Sequence, residues 1–120
     1  MLLLAFDTAT PAITVAVHDG DAVVGEASGH GAAAHSELLA PAIRDAMAQA
    51  GAAMADLTDV AVGVGPGPFT GLRVGVVTAL TLGSTLGLVQ HGVCSLDIVA
   101  ADVQADSEFL VATDARRKEV

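Results

Sequence analysis

Apolar and polar positions at the start of the chain form short runs that predict three strands. Leu2 to Asp7 is apolar up to its last residue, as in a strand buried on both faces, and Ala12 to His18 is rich in β-branched residues. Asp19-Gly20 is a strong hairpin signal, after which Ala22 to Ala27 supplies the returning strand. The pattern therefore predicts an antiparallel meander.

The pattern then changes to helices that alternate with strands. His35 to Ala50 carries apolar residues three and four positions apart, which predicts an amphipathic helix. Pro41 removes a backbone donor about one turn in, so the helix either starts later than Ser36 or bends in its first turn. The elements predicted after it are a strand from Asp59 to Val64, a helix from about Thr70 to Leu86, a strand around Leu88 to Gly92, a helix from about Leu96 to Gln104, and a strand from Glu108 to Thr113.

This order of elements predicts an α/β fold. The pattern β-β-β-α-β-α-β-α gives a mixed five-stranded sheet with helices on both faces, before the further strand from Glu108 to Thr113. It is the order of an actin-like or ribonuclease H-like (ASKHA) half-domain. With 120 residues, of which 52% are hydrophobic, the chain provides one domain with ample core.

A glycine- and proline-rich run marks the junction between the fourth strand and the second helix. Gly63 to Gly75 holds five glycines and two prolines, and such a junction is where open α/β sheets bind ligands. The run lacks the Gly-Lys-Ser/Thr ending of a phosphate-binding P-loop. Arg73 has two open roles, a ligand contact or a salt bridge to Asp59 or to a neighbouring helix. The candidate residues of this turn are Gly65, Gly67, Gly71 and Arg73.

Charge and aromatic content argue against direct nucleic-acid binding. Fourteen Asp and Glu residues against five Lys and Arg give a net charge of −9, which repels phosphate backbones. Three Phe residues, with no Trp or Tyr, offer little for base stacking. If the protein serves a nucleic acid, we expect a partner to hold that nucleic acid.

The apolar stretches and the single cysteine favour a cytoplasmic protein without membrane contact. Met1 to Leu4 lacks a basic n-region, so it does not read as an export signal. Val74 to Gln90 has no charged residue, but its Gly, Ser and Thr interruptions favour a buried helix followed by a strand over a membrane span. Cys94 cannot form an internal disulfide, which fits a reducing compartment.

Five stretches in order resemble the TsaB (YeaZ) family of accessory proteins in bacterial threonylcarbamoyladenosine tRNA modification. The stretches are Leu4 to Thr10, His35 to Pro41, Gly65 to Gly75, Gly92 to Asp97, and Thr113 to Arg117. Members of that family carry a second, smaller actin-like domain. The resemblance therefore implies that residues 1–120 are the N-terminal actin-like domain, and that the second domain is absent from this chain.

The loop after the first strand is a candidate nucleotide site that has lost part of its chemistry. In actin-like ATPases an acidic residue here, followed by a glycine-containing hydroxyl loop, positions metal and phosphates. This chain keeps Asp7, Thr8 and Thr10 but has Ala9 and then Pro11, which has no N–H for an anion. The two interpretations are side chains that cap the turn's own backbone, which we favour, and a working nucleotide site.

The metal ligands of the catalytic paralogue TsaD have no counterpart here. TsaD carries two histidines four residues apart, and the resemblance places Ser95 and Val99 at those positions. Valine cannot ligate a metal and a lone serine is a poor ligand, so no metal or cofactor is expected. The histidines have no ligand-pair spacing; they are His18, His30, His35 and His91.

A stripe of small residues on the second helix suggests close packing. Gly75, Ala79, Gly83 and Gly87 fall four apart, so they share one face and allow another backbone to approach. That backbone belongs either to the chain's own sheet or to a second protein. In the family the first two helices contact TsaD or a second TsaB. The candidate interface is Leu38, Leu39, Ile43, Met47, Gly75, Ala79 and Gly83.

The resemblance implies a catalytically silent partner of TsaD. Its partners would be TsaD, TsaE through the TsaD complex and possibly a second copy, with tRNA contacted only indirectly. Docking of the helices would stabilise a competent TsaD state. The alternatives are an actin-like ATP-dependent phosphotransferase that uses Asp7 and the glycine turns and, with less support, a metallopeptidase-like hydrolase.

Overall fold

A computed structural model describes residues 1–9, 12–29, 35–67 and 69–95. The strands are β1 (Leu3–Asp7), β2 (Ile13–His18), β3 (Val23–Gly29), β4 (Asp59–Gly63) and β5 (Val89–Val93), and the helices are α1 (His35–Ala50), a 3₁₀ turn (Met54–Asp56) and α2 (Phe69–Leu86). The sheet order is β3-β2-β1-β4-β5. β1 is antiparallel to β2 and parallel to β4, and β5 is parallel to β4. The expected mixed five-stranded sheet of the actin-like or ribonuclease H-like fold is confirmed.

The first hairpin and the first helix form for reasons visible in the sequence. The Asp19 carboxylate accepts the backbone N–H groups of Asp21 and Ala22, both at 2.9 Å, and Gly20 takes φ +102°. These backbone hydrogen bonds lower the pKa of Asp19. Helix α1 starts at His35 despite Pro41, so the later start that Pro41 allowed is wrong. Pro41 is exposed and lies within the helix without ending it.

Both described helices pack on the same face of the sheet. Gly25 lies so close to α1 that an added Cβ would collide with the carbonyl of Ala46. Gly25 pairs with Val17, Val17 pairs with Leu4, and Leu4 pairs with a residue of β4, so these residues lie on the same face of the sheet. The core beneath the helices is Leu4, Phe6, Ile13, Val15, Val17, Leu39, Ala42, Ile43, Ala46, Met47, Leu57, Val60, Val62, Ala79 and Leu88.

The other face of the sheet, which we call the open face, carries no helix within the described ranges. The helix predicted from Leu96 to Gln104, the strand from Glu108 to Thr113, and the position of Val99 lie outside the described residues. A helix on the second face therefore stays a prediction.

The uncharged stretch Val74 to Gln90 is divided between α2 and β5. Gly87, at φ +69°, ends the helix, and Leu88 leads into the strand. Among the residues described, no helix combines the length and the hydropathy that crossing a bilayer requires. The predicted helix followed by a strand is confirmed.

Candidate functional site

The first candidate site is the carboxyl edge of the sheet, where the parallel strands β1, β4 and β5 end. Asp7 ends β1, Gly63 ends β4, and Val93 ends β5 just before Ser95. Ligands of open α/β sheets bind beyond such strand ends, at the point where strand order reverses. These four residues line a cavity of about 730 Å³ on the open face. The fold thus brings Asp7, a candidate of the nucleotide loop, and Ser95, which was expected to bind no metal, to one cavity.

Asp7 caps the turn that follows its own strand. Its Oδ1 atom accepts the Ala9 N–H at 2.7 Å, and the residue is only 8% exposed. On the neighbouring strand an added Cβ at Gly63 would collide with the Asp7 carboxyl group. Asp7 therefore fits only beside a glycine, and one carboxylate oxygen already serves the backbone, as the capping interpretation expects.

The Thr8 hydroxyl is inserted into the backbone of α2. It donates to the Gly71 carbonyl at 2.6 Å and accepts the Gly75 N–H at 3.1 Å, two groups that a regular helix pairs with each other. Thr8 is 1% exposed, and an added Cβ at Gly75 would lie 2.6 Å from its Oγ1. The single hydroxyl proton goes to Gly71, so Thr8 ties β1 to α2. Thr10 lies outside the described residues.

Ser95 holds the glycine turn at two points. Its Oγ accepts the Gly65 N–H at 3.1 Å, and its own N–H donates to the Gly65 carbonyl at 2.9 Å. Gly65 has φ +104°, which favours glycine, and Gly67 lies against the Ala9 carbonyl, where a Cβ would collide. Ser95, which the resemblance places at a histidine position of TsaD, is here a buried serine bonded to the turn.

No group of three or more His, Cys, Asp or Glu side chains in the described part of the chain is arranged to hold a metal. His18 Nδ1 accepts the Gly20 N–H at 3.0 Å, and His91 Nε2 lies 2.9 Å from Asp59 Oδ2. A hydrogen bond from the Thr58 hydroxyl, followed by that from His91, lowers the pKa of Asp59. These two histidines serve separate local contacts.

The prediction of a salt bridge between Arg73 and Asp59 is wrong. Asp59 begins β4 and pairs with His91, whereas Arg73 lies in α2, after the far end of that strand. Arg73 is exposed and has no ion-pair partner among the described residues. Its charge is therefore uncompensated within that part of the chain.

The second candidate site is an apolar groove between α1 and α2, which we call the helix groove. Its volume is about 670 Å³. Its walls are almost wholly apolar, and Arg44 is the one charged residue among the described residues that line it. The lining residues are Leu39, Ala40, Ile43, Arg44, Met47, Ala48, Ala52, Ala53, Met54, Val74, Thr78 and Leu82.

The predicted interface residues on α1 divide between the groove and the sheet. Leu39, Ile43 and Met47 line the helix groove and are buried, so they form its floor. Leu38 instead lies over Gly29 of β3, since a Cβ added there would meet the Leu38 Cβ at 3.5 Å. The groove thus collects three residues of the predicted set.

The small-residue stripe of α2 faces the chain's own sheet. Gly75 lies against Thr8, Gly83 lies against Gln90, and Ala79 is 3% exposed. These residues therefore pack on the chain's own sheet, which was one of the two alternatives. Their burial does not match the expectation that they offer a free surface to a partner. The four-residue spacing indicates a close approach but does not specify which backbone approaches.

Two apolar residues on the outside of α2 were missed. Val77 is 52% exposed and Leu80 is 53% exposed. The wall residues Val74, Thr78 and Leu82 each precede a stripe residue by one position and so turn toward α1. The signal was present in the sequence, because a helix whose small face is buried still has apolar residues left for its other faces.

Comparison with known proteins gives a family and several relatives. The family model described as TsaD: tRNA N6-adenosine threonylcarbamoyltransferase matches residues 29–120. An uncharacterised protein of Mycobacterium tuberculosis is 50% identical over 121 residues, 98% of this chain and 56% of that protein. The tRNA threonylcarbamoyladenosine biosynthesis protein TsaB of Bacillus subtilis is 33% identical over 121 residues, 100% of this chain and 53% of that protein.

A solved structure gives the same picture. YeaZ from Pseudomonas aeruginosa matches with a TM-score of 0.78 and 32% identity, over 84% of this chain and 47% of that chain. The chain spans about half the length of the curated relatives it matches.

Proposed function

Because the chain belongs to the TsaD family and is TsaB/YeaZ-like within it, we propose that its protein is a non-catalytic partner of the TsaD transferase. The process is tRNA N6-threonylcarbamoyladenosine modification. The observation that carries the proposal is the apolar lining of the helix groove between α1 and α2. The second, smaller domain belongs to the complete protein in this proposal, and the compartment is the cytoplasm.

The carboxyl edge supports a non-catalytic role. A side-chain oxygen of each of Asp7, Thr8 and Ser95 is hydrogen-bonded to the protein's own backbone. A catalytic or phosphate-binding group needs polar atoms directed at the substrate. Edge residues occupied in this way stabilise the sheet and α2, and they leave the chemistry to the partner.

The helix groove supports docking by helices of another protein. Its floor of Leu39, Ile43 and Met47 is close-packed, whereas the space above it is open and bordered by small alanines. Well-packed apolar pockets of this kind receive the anchor side chains that dominate interface energies. Docking would favour the TsaD conformation that accepts tRNA and TsaE, by a shift of populations. Contact with tRNA stays indirect because the net charge is −9.

Reconstitution of the modification reaction tests the proposal. The complete protein is combined with TsaD, TsaE, threonylcarbamoyl-adenylate and tRNA, and the modified adenosine is measured. Ala48→Arg places a charge in the groove wall, and Ala55→Arg is the matched control at an exposed residue outside the groove. We expect loss of activity for the first variant only. Full modification without the protein, or with Ala48→Arg, would overturn the proposal.

An actin-like ATP-dependent phosphotransferase is the second candidate, because Asp7, the last residue of β1, lines the cavity on the open face. Calorimetric titration of the complete protein with ATP and magnesium separates the two. Asp7→Asn keeps an acceptor for the Ala9 N–H and removes the charge. Tight ATP binding that disappears in Asp7→Asn would favour the phosphotransferase. Metal analysis of the purified protein checks the hydrolase alternative.

A further inference from the structure

The helix groove contains a cation with no local partner. Of the five Lys and Arg residues, Arg116, Arg117 and Lys118 lie beyond residue 95, so Arg44 and Arg73 are the two in the described ranges. Arg44 lines the groove, and neither arginine forms an ion pair with a carboxylate in those ranges. An unpaired arginine is unexpected in a chain of net charge −9.

The helix sequence explains why Arg44 stays unpaired. Residues three and four positions away share its side of α1, and these are Pro41, Met47, Ala40 and Ala48. None of them carries a charge. The side of the groove opposite Arg44 is formed by Val74, Thr78 and Leu82 of α2, which are uncharged as well. Arg44 is exposed to water and lines the open groove.

We infer that the helix groove selects its occupant by charge: it accepts a helix of a different protein that brings an Asp or Glu to Arg44. An apolar occupant removes water from the guanidinium, and a desolvated cation without a partner is unfavourable. A carboxylate restores the lost hydrogen bonds in a bidentate, charge-assisted pair. An occupant without one is rejected, which is how interfaces discriminate among partners.

A second copy of this chain does not meet that requirement. In a two-fold dimer the same surface meets itself, so Arg44 of each copy faces residues of that same surface. The described residues of the lining include no Asp or Glu, and the second copy brings a second Arg44. The exposed acidic residues Glu37, Asp45 and Asp56 lie outside the lining. Charge complementarity therefore favours a different protein.

The inference rests on the proposed function for the identity of that protein, so TsaD is the probe. Its dissociation constant for the complete protein is measured by calorimetry for wild type and four variants. Arg44→Glu reverses the charge, Arg44→Met keeps the apolar stem, Arg44→Lys keeps the charge without the planar fork, and Arg73→Glu makes the same reversal outside the groove lining. Circular dichroism confirms that each variant is folded.

We expect Arg44→Glu to weaken TsaD binding by about 100-fold or more, Arg44→Met by about tenfold, and Arg44→Lys by less. Arg73→Glu should change it by about threefold at most. Exchange of acidic residues on the docking helices of TsaD for Lys, one at a time, should yield one variant that restores binding to Arg44→Glu. Self-association, measured by sedimentation, should not weaken in Arg44→Met.

The outcomes distinguish a failure of the proposed function from a failure of the charge rule at Arg44. If wild-type protein does not bind TsaD, the proposed function fails. If it binds and Arg44→Glu binds equally well, the charge rule is wrong and the proposed function stands. If Arg44→Met weakens self-association as much as TsaD binding, the occupant is a second copy, and the inference is overturned.

Discussion

The carboxyl edge and the helix groove differ in whether their polar and charged groups are paired within the protein. At the carboxyl edge, polar atoms of Asp7, Thr8 and Ser95 are buried and pair with the protein's own backbone. In the helix groove, by contrast, the surface is apolar and open, and the one charge in its lining, on Arg44, has no ion-pair partner in the described ranges. The first region resembles an active site in its residue types, and the second has none of those types.

The difference teaches where free interaction capacity remains in this fold. Buried polar groups that are satisfied internally hold elements together and specify one arrangement. An apolar surface without a covering element retains its driving force for association. The following changes test that contrast by asking how much stability each region supplies.

The largest loss of stability is expected for Gly63→Ala at the carboxyl edge. The new Cβ would collide with the carboxyl group of Asp7 across two buried strands. We expect the free energy of unfolding to fall by about 3 kcal/mol or more, measured by chemical denaturation of the complete protein. Gly29→Ala is the control, because its Cβ would make an ordinary contact at 3.5 Å from Leu38. If both variants lost the same free energy of unfolding, the close contact between Gly63 and Asp7 would not be important for stability.

A smaller loss is expected when the shared hydroxyl of Thr8 is removed. Thr8→Val keeps the shape but leaves Gly71 and Gly75 without their Thr8 partner. We expect the free energy of unfolding to fall by about 2 kcal/mol, the usual cost of unpaired buried groups. Thr8→Ser keeps the hydroxyl and should recover most of it. If Thr8→Val instead preserved stability and weakened ATP binding, the carboxyl edge would be a ligand site.

Filling the helix groove should leave stability almost unchanged. Ala48→Trp places an indole into open space, so we expect the free energy of unfolding to stay within about 0.5 kcal/mol of wild type. Binding of TsaD should weaken by about tenfold or more, because its anchor side chains lose their place. Ala55→Trp, at an exposed residue outside the lining, is the control for both measurements. A large loss of stability would mean that the groove is already filled.

The smallest effect is expected at Asp59, on the opposite edge of the sheet. Its pKa lies below the ordinary 3.8 because of hydrogen bonds from Thr58 and then His91. A carboxylate with a lowered folded pKa stabilises the protein above its unfolded pKa, and this is lost as pH falls through the folded pKa. Asp59→Asn should therefore flatten the loss of melting temperature below about pH 4. Asp21→Asn is the surface control, and identical slopes would contradict the assignment.

The strands and helices were predictable because their signals are local. β-Branched runs, Asp19-Gly20 and apolar spacing in α1 each depend on a few adjacent residues. The error at Arg73 was avoidable from the same information. Asp59 opens β4 and Arg73 follows its end, so roughly 3.3 Å per residue of strand already keeps them apart.

The candidate sites were less predictable because they depend on which elements face each other. The sequence showed that Gly75, Ala79 and Gly83 allow close approach, but not that β1 and β4 provide the surface. The insertion of Thr8 into α2 joins residues more than sixty positions apart, and no local pattern encodes it. The helix groove depends on how α1 and α2 pack beside each other, and the spacing of residues along the chain does not specify that packing.

The Thr8 hydroxyl also limits how α2 can move along the sheet. A shift of the helix by one turn carries it about 5.4 Å, which brings either Ala79 or Gly71 to the place of Gly75. Ala79 is excluded there, because a Cβ would come within 2.6 Å of Thr8 Oγ1. A shift the other way would pull Gly83 from its contact with Gln90. In the proposed complex we therefore expect α2 and the end of β1 to move together, because Thr8 joins them.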